Sequence, residues 1–162
     1  MELKFQIQAK INKPRAEVFD AVYKPSKIRG YFATGGSSGP LVEGREVIWQ
    51  FADFPGEVPV HVKIVVPNER IVFEWAAAAE PKPGQQPSPN QLPASADYNT
   101  RVEMTFETLS PNSTLVRIAE SGWHQTQHDL NSSYDNCGGW MNMACCLKAY
   151  LEYGINLREG MF

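Results

Sequence analysis

The sequence predicts an α+β fold: a curved antiparallel sheet wrapped round one long C-terminal helix, with two short helices after the first strand. Three observations predict it. Residues 2–11 alternate apolar and polar side chains. Further alternating segments lie between residues 47 and 118, most of them joined by short turns. Apolar residues then recur with helical spacing from Trp140 to Leu151. A period of two marks half-buried strands and a period of 3.6 marks an amphipathic helix. One apolar sheet face and one apolar helix stripe cover each other.

The first strand is the clearest element. Leu3, Phe5, Ile7, Ala9 and Ile11 share one face, against Glu2, Lys4, Gln6, Gln8 and Lys10. Asn12-Lys13-Pro14 then opens a helix, with proline where its missing N–H costs nothing. Val18, Phe19 and Val22 form its stripe. Pro25 starts a second short helix bearing Ile28, Tyr31 and Phe32, and Gly35 to Pro40 reads as a flexible turn. Three strands follow, with Val47, Trp49 and Phe51 in the first and Ile71, Phe73 and Trp75 in the third. The middle one alternates Val58, Val60, Val62, Ile64 and Val66, after a turn at Asp53 to Gly56. Residues 78–97 are rich in proline and poor in large apolar side chains, so they predict a long mobile excursion between strands. Val102, Met104, Phe106 and Thr108 mark the next strand, and Thr114, Val116 and Ile118 the last. The closing helix carries Trp140, Met143, Ala144, Leu147 and Leu151 on one side and stops near Gly154.

Composition narrows the function classes. The 162 residues suit one domain, 1–162, with 43% apolar and 20% charged side chains and a net charge of −3. No dense run of Lys and Arg offers a footprint for nucleic acid. The N-terminus, MELKFQIQAK, has neither the apolar core of a signal peptide nor the basic helix of a transit peptide. No stretch approaches the roughly 18 apolar residues of a membrane span. The cytosol is the expected location. The cysteines Cys137, Cys145 and Cys146 are odd in number and clustered late, which predicts free thiols, buried or half-buried. With no CxxC pair and no HExxH pattern, neither a metal nor another cofactor is expected.

The residues in sequence order resemble the START-like (SRPBCC) superfamily, the helix-grip fold of the major birch-pollen allergen. More narrowly, they are similar to the family named for the activator of heat-shock protein 90 ATPase. INKPRAEVF (Ile11 to Phe19) resembles that family's strand end and helix opening. IRGYF (Ile28 to Phe32) stands at its "Wf" pair, with Tyr31 replacing tryptophan, and VPNERIVFEW (Val66 to Trp75) matches its turn and following strand. Ser121-Gly122-Trp123 fits the end of its last strand, and Gly139-Trp140 with Leu147 and Leu151 fits its final helix. The resemblance implies a binder of small apolar molecules, or a relative of cyclase-type proteins. The family's chaperone activators carry this domain behind an N-terminal one that has no counterpart here, so a chaperone partner is the minor expectation.

Large rings held between two layers are expected to leave a cavity for a small apolar or aromatic molecule. Its expected lining is Phe32, Trp49, Phe51, Phe73, Trp75 and Met104, with Phe106, Trp123, Trp140, Ala144 and Leu147. Any one of these is equally well explained as plain core. Glu120 continues the inward phase of Thr114, Val116 and Ile118. A buried carboxylate must find donors or shift its pKa, so Glu120 is the candidate polar anchor or proton-transfer group, against a rim glutamate reaching water. The Tyr31 hydroxyl is a second candidate anchor. His124 and His128, four apart, would share a helix face but lack the convergent partners of a metal site; His61 belongs to a polar strand face. No catalytic constellation emerges, and the oligomeric state is not legible from the sequence.

Overall fold

A computed structural model describes residues 1–86 and 88–162. Pro87, within the proline-rich excursion, lies outside the described residues. The chain runs through β1 (Leu3–Ile11), α1 (Arg15–Tyr23), α2 (Pro25–Ile28), β2 (Gly36–Ser37), β3 (Glu46–Phe51), β4 (Phe54–Val66), β5 (Arg70–Ala78), β6 (Ser95–Ser110), β7 (Ser113–Trp123) and α3 (Gln127–Tyr153). Among the described residues the strands form one antiparallel sheet in the order β1-β7-β6-β5-β4-β3-β2. This is the helix-grip fold that the alternation and the closing helix predict.

Two local rules place α3. Thr126 caps its start, its hydroxyl accepting from the Asp129 N–H at 3.0 Å. Gly154 ends it in the left-handed region at φ 68°, and the Ile155 N–H reaches back to the Ala149 carbonyl at 3.2 Å. Trp140, Met143, Ala144 and Leu147 are buried, so the apolar stripe faces the sheet. The far end of the helix is tied to β1. Lys148 donates to the Lys10 carbonyl at 2.9 Å, and Asn12 donates to Glu152 at 2.8 Å.

Three elements depart from the sequence reading. Gly35 to Pro40 is not simply a turn, because Gly36 and Ser37 pair with β3 as an edge strand. Gly35 makes this possible: its N–H donates to the Gln50 carbonyl at 2.8 Å, and a Cβ there would lie 2.9 Å from the Gln50 backbone. The β4 register shifts between Val62 and Ile64, so beyond that bulge Val65 packs on the core and Val66 is 37% exposed. One extra residue exchanges the two faces of a strand, and alternation read from sequence does not show where it falls. Finally, the strands reach into the proline-rich segment. Ala78 pairs with Ser95, and the Ala79 N–H donates to the Ala94 carbonyl at 2.7 Å.

The space between sheet and helix is filled by the protein's own rings. Trp49 stands edge-on to Phe32 at 5.5 Å and to Phe73 at 5.4 Å, and Phe73 lies 6.1 Å from Trp140. Rings that meet edge to face fill the gap between layers rather than prop it open. No helix among the described residues is long and apolar enough to cross a membrane.

Candidate functional site

The opening lies at one end of the layers, not between them. It is a half-open cleft of about 380 Å³. Its lining comes from the end of β5 and the start of β4, at Trp75 and Val58, and from the first half of α3, at Asn136 and Trp140. Gln91, Leu92 and Pro93 contribute to its rim, as do Arg158 and Phe162 of the C-terminal tail. Gly56 at φ 133° leaves room for Leu92, whose Cδ1 lies 3.1 Å from where a Cβ would stand.

Behind the indole wall sits Glu120, 1% exposed. Its Oε1 accepts from Thr100 Oγ1 at 2.6 Å, Trp75 Nε1 at 2.9 Å and Asn136 Nδ2 at 3.0 Å. Its Oε2 accepts from Trp140 Nε1 at 2.7 Å and from Asn136 at 3.2 Å. The local fold explains this convergence. Trp75 pairs with Thr100 across β5 and β6, and Val102 pairs with Glu120 across β6 and β7, so Trp75, Thr100 and Glu120 share one face. Asn136 and Trp140 are one helical turn apart on the helix above. Burial raises the Glu120 pKa above its ordinary value, while the hydrogen bonds from Thr100, Trp75, Trp140 and Asn136 pull it down. The indole and amide N–H groups only donate, so the ionised carboxylate is the form this shell satisfies. The result is a stacked indole pair, Trp75 on Trp140 at 5.1 Å and 27°, with both N–H groups taken up by Glu120.

A second cluster holds the tail in place. Arg158, 8% exposed, donates from Nη2 to Asp53 Oδ1 at 3.1 Å. Its Nε lies 2.9 Å from Asp53 Oδ2 but off the hydrogen-bonding direction. The guanidinium carbon sits 4.9 Å from the Phe51 ring centre and within 5.9 Å of those of Phe32, Phe54 and Phe162.

Of the expected lining, Phe32, Phe51, Trp75 and Trp140 meet at this cleft. Trp49, Phe73, Met104, Phe106, Ala144 and Leu147 do not line it and are packed in the buried interior, because the rings close on one another. Trp123 lies apart, beside Phe5 at 5.6 Å, beyond the left-handed Gly122 at the end of β7. Glu120 is buried as its phase requires but stands behind the wall rather than on the cleft. The Tyr31 hydroxyl is no anchor: it donates to the Ala21 carbonyl at 3.0 Å inside the core. His124 precedes the Thr126 cap, so the i, i+4 face is not realised; it stacks on Tyr98 at 3.9 Å, while His128 lies 3.1 Å from the Ala78 carbonyl. His61 is partly exposed, 3.4 Å from Glu46. Among the described residues no group of His, Cys, Asp and Glu is placed to hold a metal ion. All three thiols are free, and Cys145 is exposed rather than buried.

The sequence reading missed Asn136, Asp135, Leu92, Arg158 and Phe162. The first two lie on the helix but precede its clear apolar period, and the others lie where no period exists.

Fold and cleft together define a helix-grip protein of the START-like superfamily. The family model described as "Activator of Hsp90 ATPase homolog 1-like protein" matches residues 12–152, and the chain belongs to that family. Curated proteins give no significant match by sequence. Solved structures do. SSP2350 from Staphylococcus saprophyticus superposes with a TM-score of 0.74 at 23% identity, covering 96% of each chain. The Aha1 dimer from Colwellia psychrerythraea gives 0.68 at 21% identity, over 94% of this chain and 98% of the other. DynU16, from the dynemicin biosynthetic locus, gives 0.71 at 21% identity, over 94% of this chain and 48% of its own. At these identities the likeness concerns the fold alone.

Proposed function

We propose that this protein binds a small, flat, largely apolar molecule in the cleft between β5, the first half of α3 and the C-terminal tail. The observation that carries this reading is the Trp75–Trp140 stack. Its polar edges are satisfied by Glu120, and the half-buried Trp75 ring, backed by the buried Trp140, turns apolar surface to the opening. Such a wall binds by burial and ring contact, with few polar anchors needed for orientation. Leu92 and Phe162 at the rims add apolar surface that a bound molecule would share.

The test is titration with the neutral, polarity-sensitive dye N-phenyl-1-naphthylamine. Trp75→Ala removes a half-buried ring from the wall and is expected to weaken binding roughly tenfold in a variant whose circular dichroism stays native. Unchanged affinity in that folded variant would contradict the reading.

A cyclase- or lyase-type reaction with Glu120 as proton carrier fits the structure less well. The carboxylate does not line the cleft, and Trp75, Trp140 and Asn136 occupy its lone pairs. The family description favours one further reading, a contact with heat-shock protein 90. Addition of the protein to that chaperone's ATPase assay tests it, and no stimulation would remove it while leaving the binding reading intact.

A further inference from the structure

We infer that the cleft selects a planar aromatic molecule carrying a positive charge, a protonated or quaternised nitrogen heterocycle being the class it fits. This rests on the ligand-binding reading above and adds the charge of the ligand to it.

Three observations point the same way. The first is the charge around the cleft. Glu57 and Asp135 line it as exposed carboxylates, and neither is held by another side chain among the described hydrogen bonds and ion pairs. Glu120 lies directly behind Trp75, Trp140 and Asn136, bonded to all three. The one guanidinium among the described lining residues, Arg158, is already matched by Asp53. Among the described residues on the cleft or directly behind its lining, four carboxylates, Glu57, Asp135, Glu120 and Asp53, thus stand against one cation.

The second observation concerns the rings themselves. A carboxylate accepting from an indole N–H pushes electron density into the π system, which makes the ring face more attractive to a cation. Glu120 does this to Trp75, the half-buried member of the stack, at 2.9 Å, while Trp140, covered by Trp75 and Phe32, backs it. The third observation is an internal precedent. At the tail end of the cleft, the phenyl rings of Phe32, Phe51, Phe54 and Phe162 already surround a cation, the Arg158 guanidinium. The indole end has a richer π surface and an anion behind it but, among the described lining residues, no cation of its own.

The test uses three tricyclic probes of one shape: acridine, neutral above its own pKa; N-methylacridinium, permanently charged; and acridine-9-carboxylate. Each is titrated into the full chain near neutral pH and at low ionic strength, following tryptophan quenching and calorimetric heat. N-methylacridinium is expected to bind on the order of tenfold more tightly than acridine, with the carboxylate weakest, and added salt should narrow the spread. The double variant Glu57→Gln/Asp135→Asn changes only exposed side chains and is expected to reduce the cation-to-neutral ratio several-fold. Glu120→Gln should lower the same ratio. Equal affinities, or tightest binding of the carboxylate, would overturn the charge preference and leave the apolar-cleft reading standing. Failure of all three probes to bind would overturn both.

Discussion

Replacing Glu120 by glutamine tests the buried network that shapes the cleft. The substitution keeps the side-chain volume but turns one acceptor oxygen into an NH2 group. If the amide nitrogen takes the Oε2 position, the Trp140 N–H, at 2.7 Å, faces a donor. If it takes the Oε1 position, the Trp75 N–H and the Thr100 hydroxyl, at 2.9 and 2.6 Å, face one, and only the hydroxyl can rotate away. Either way at least one indole N–H loses its partner. Losing a charge-assisted bond and stranding a donor costs about 2 kcal/mol, partly offset by the easier burial of a neutral group. For a chain of this length that is roughly 4–8 °C in melting temperature. The assay is urea unfolding near neutral pH, read by circular dichroism and by tryptophan emission, which should move to the red.

The pH dependence gives a second readout. Burial raises the folded-state pKa of Glu120 above the unfolded value. Between those two values the native state holds more proton than the unfolded chain, so this group's contribution to stability falls as pH rises through that window. Glutamine has no such titration. The wild type's advantage over the variant is therefore largest below the unfolded-state pKa and narrows as pH rises through that window. A variant as stable as the wild type with unchanged emission, or an advantage that widens with pH, would refute the reasoning.

Two further outcomes follow from the packing. Gly35→Ala drives a Cβ to 2.9 Å from the Gln50 backbone, which has little room to yield; a loss of about 1–3 kcal/mol in urea unfolding is expected, and wild-type stability would contradict the close approach. Arg158→Met strands Asp53, 13% exposed at its side chain, and removes the cation from four phenyl rings. About 3 kcal/mol should be lost, residues 155–162 should become sensitive to proteolysis, and Asp53→Asn in the same chain should restore part of the loss; a tail equally resistant in the single variant would contradict the anchoring role.

The legible parts of the structure were those set by period. The alternation of Leu3 to Ile11 and of Val102 to Phe106 fixes which side chains go inward, and the Trp140 to Leu151 spacing fixes the helix face. The same phase carried Glu120 into the interior. What period could not show is how rings pack once inside. Trp49 and Phe73 share the inward phase of Phe51 and Trp75, yet the first two close the core while the others border the cleft. That difference is set by position along the strand relative to the helix crossing, a tertiary property. The Val62/Ile64 bulge was invisible because an extra residue in a strand carries no compositional mark there. Arg158 and Phe162 were missed because a tail that packs by one ion pair and one ring cluster has no repeating signal.

The most direct test of the cleft is an indole ¹⁵N–¹H correlation spectrum, in which each of the four tryptophans reports separately. Titration with N-phenyl-1-naphthylamine is predicted to move the Trp75 and Trp140 resonances most and to leave Trp123, which lies outside the cleft, in place. Shifts led by Trp123, or four resonances that stay still while the dye binds, would contradict the assignment of the ligand to this wall.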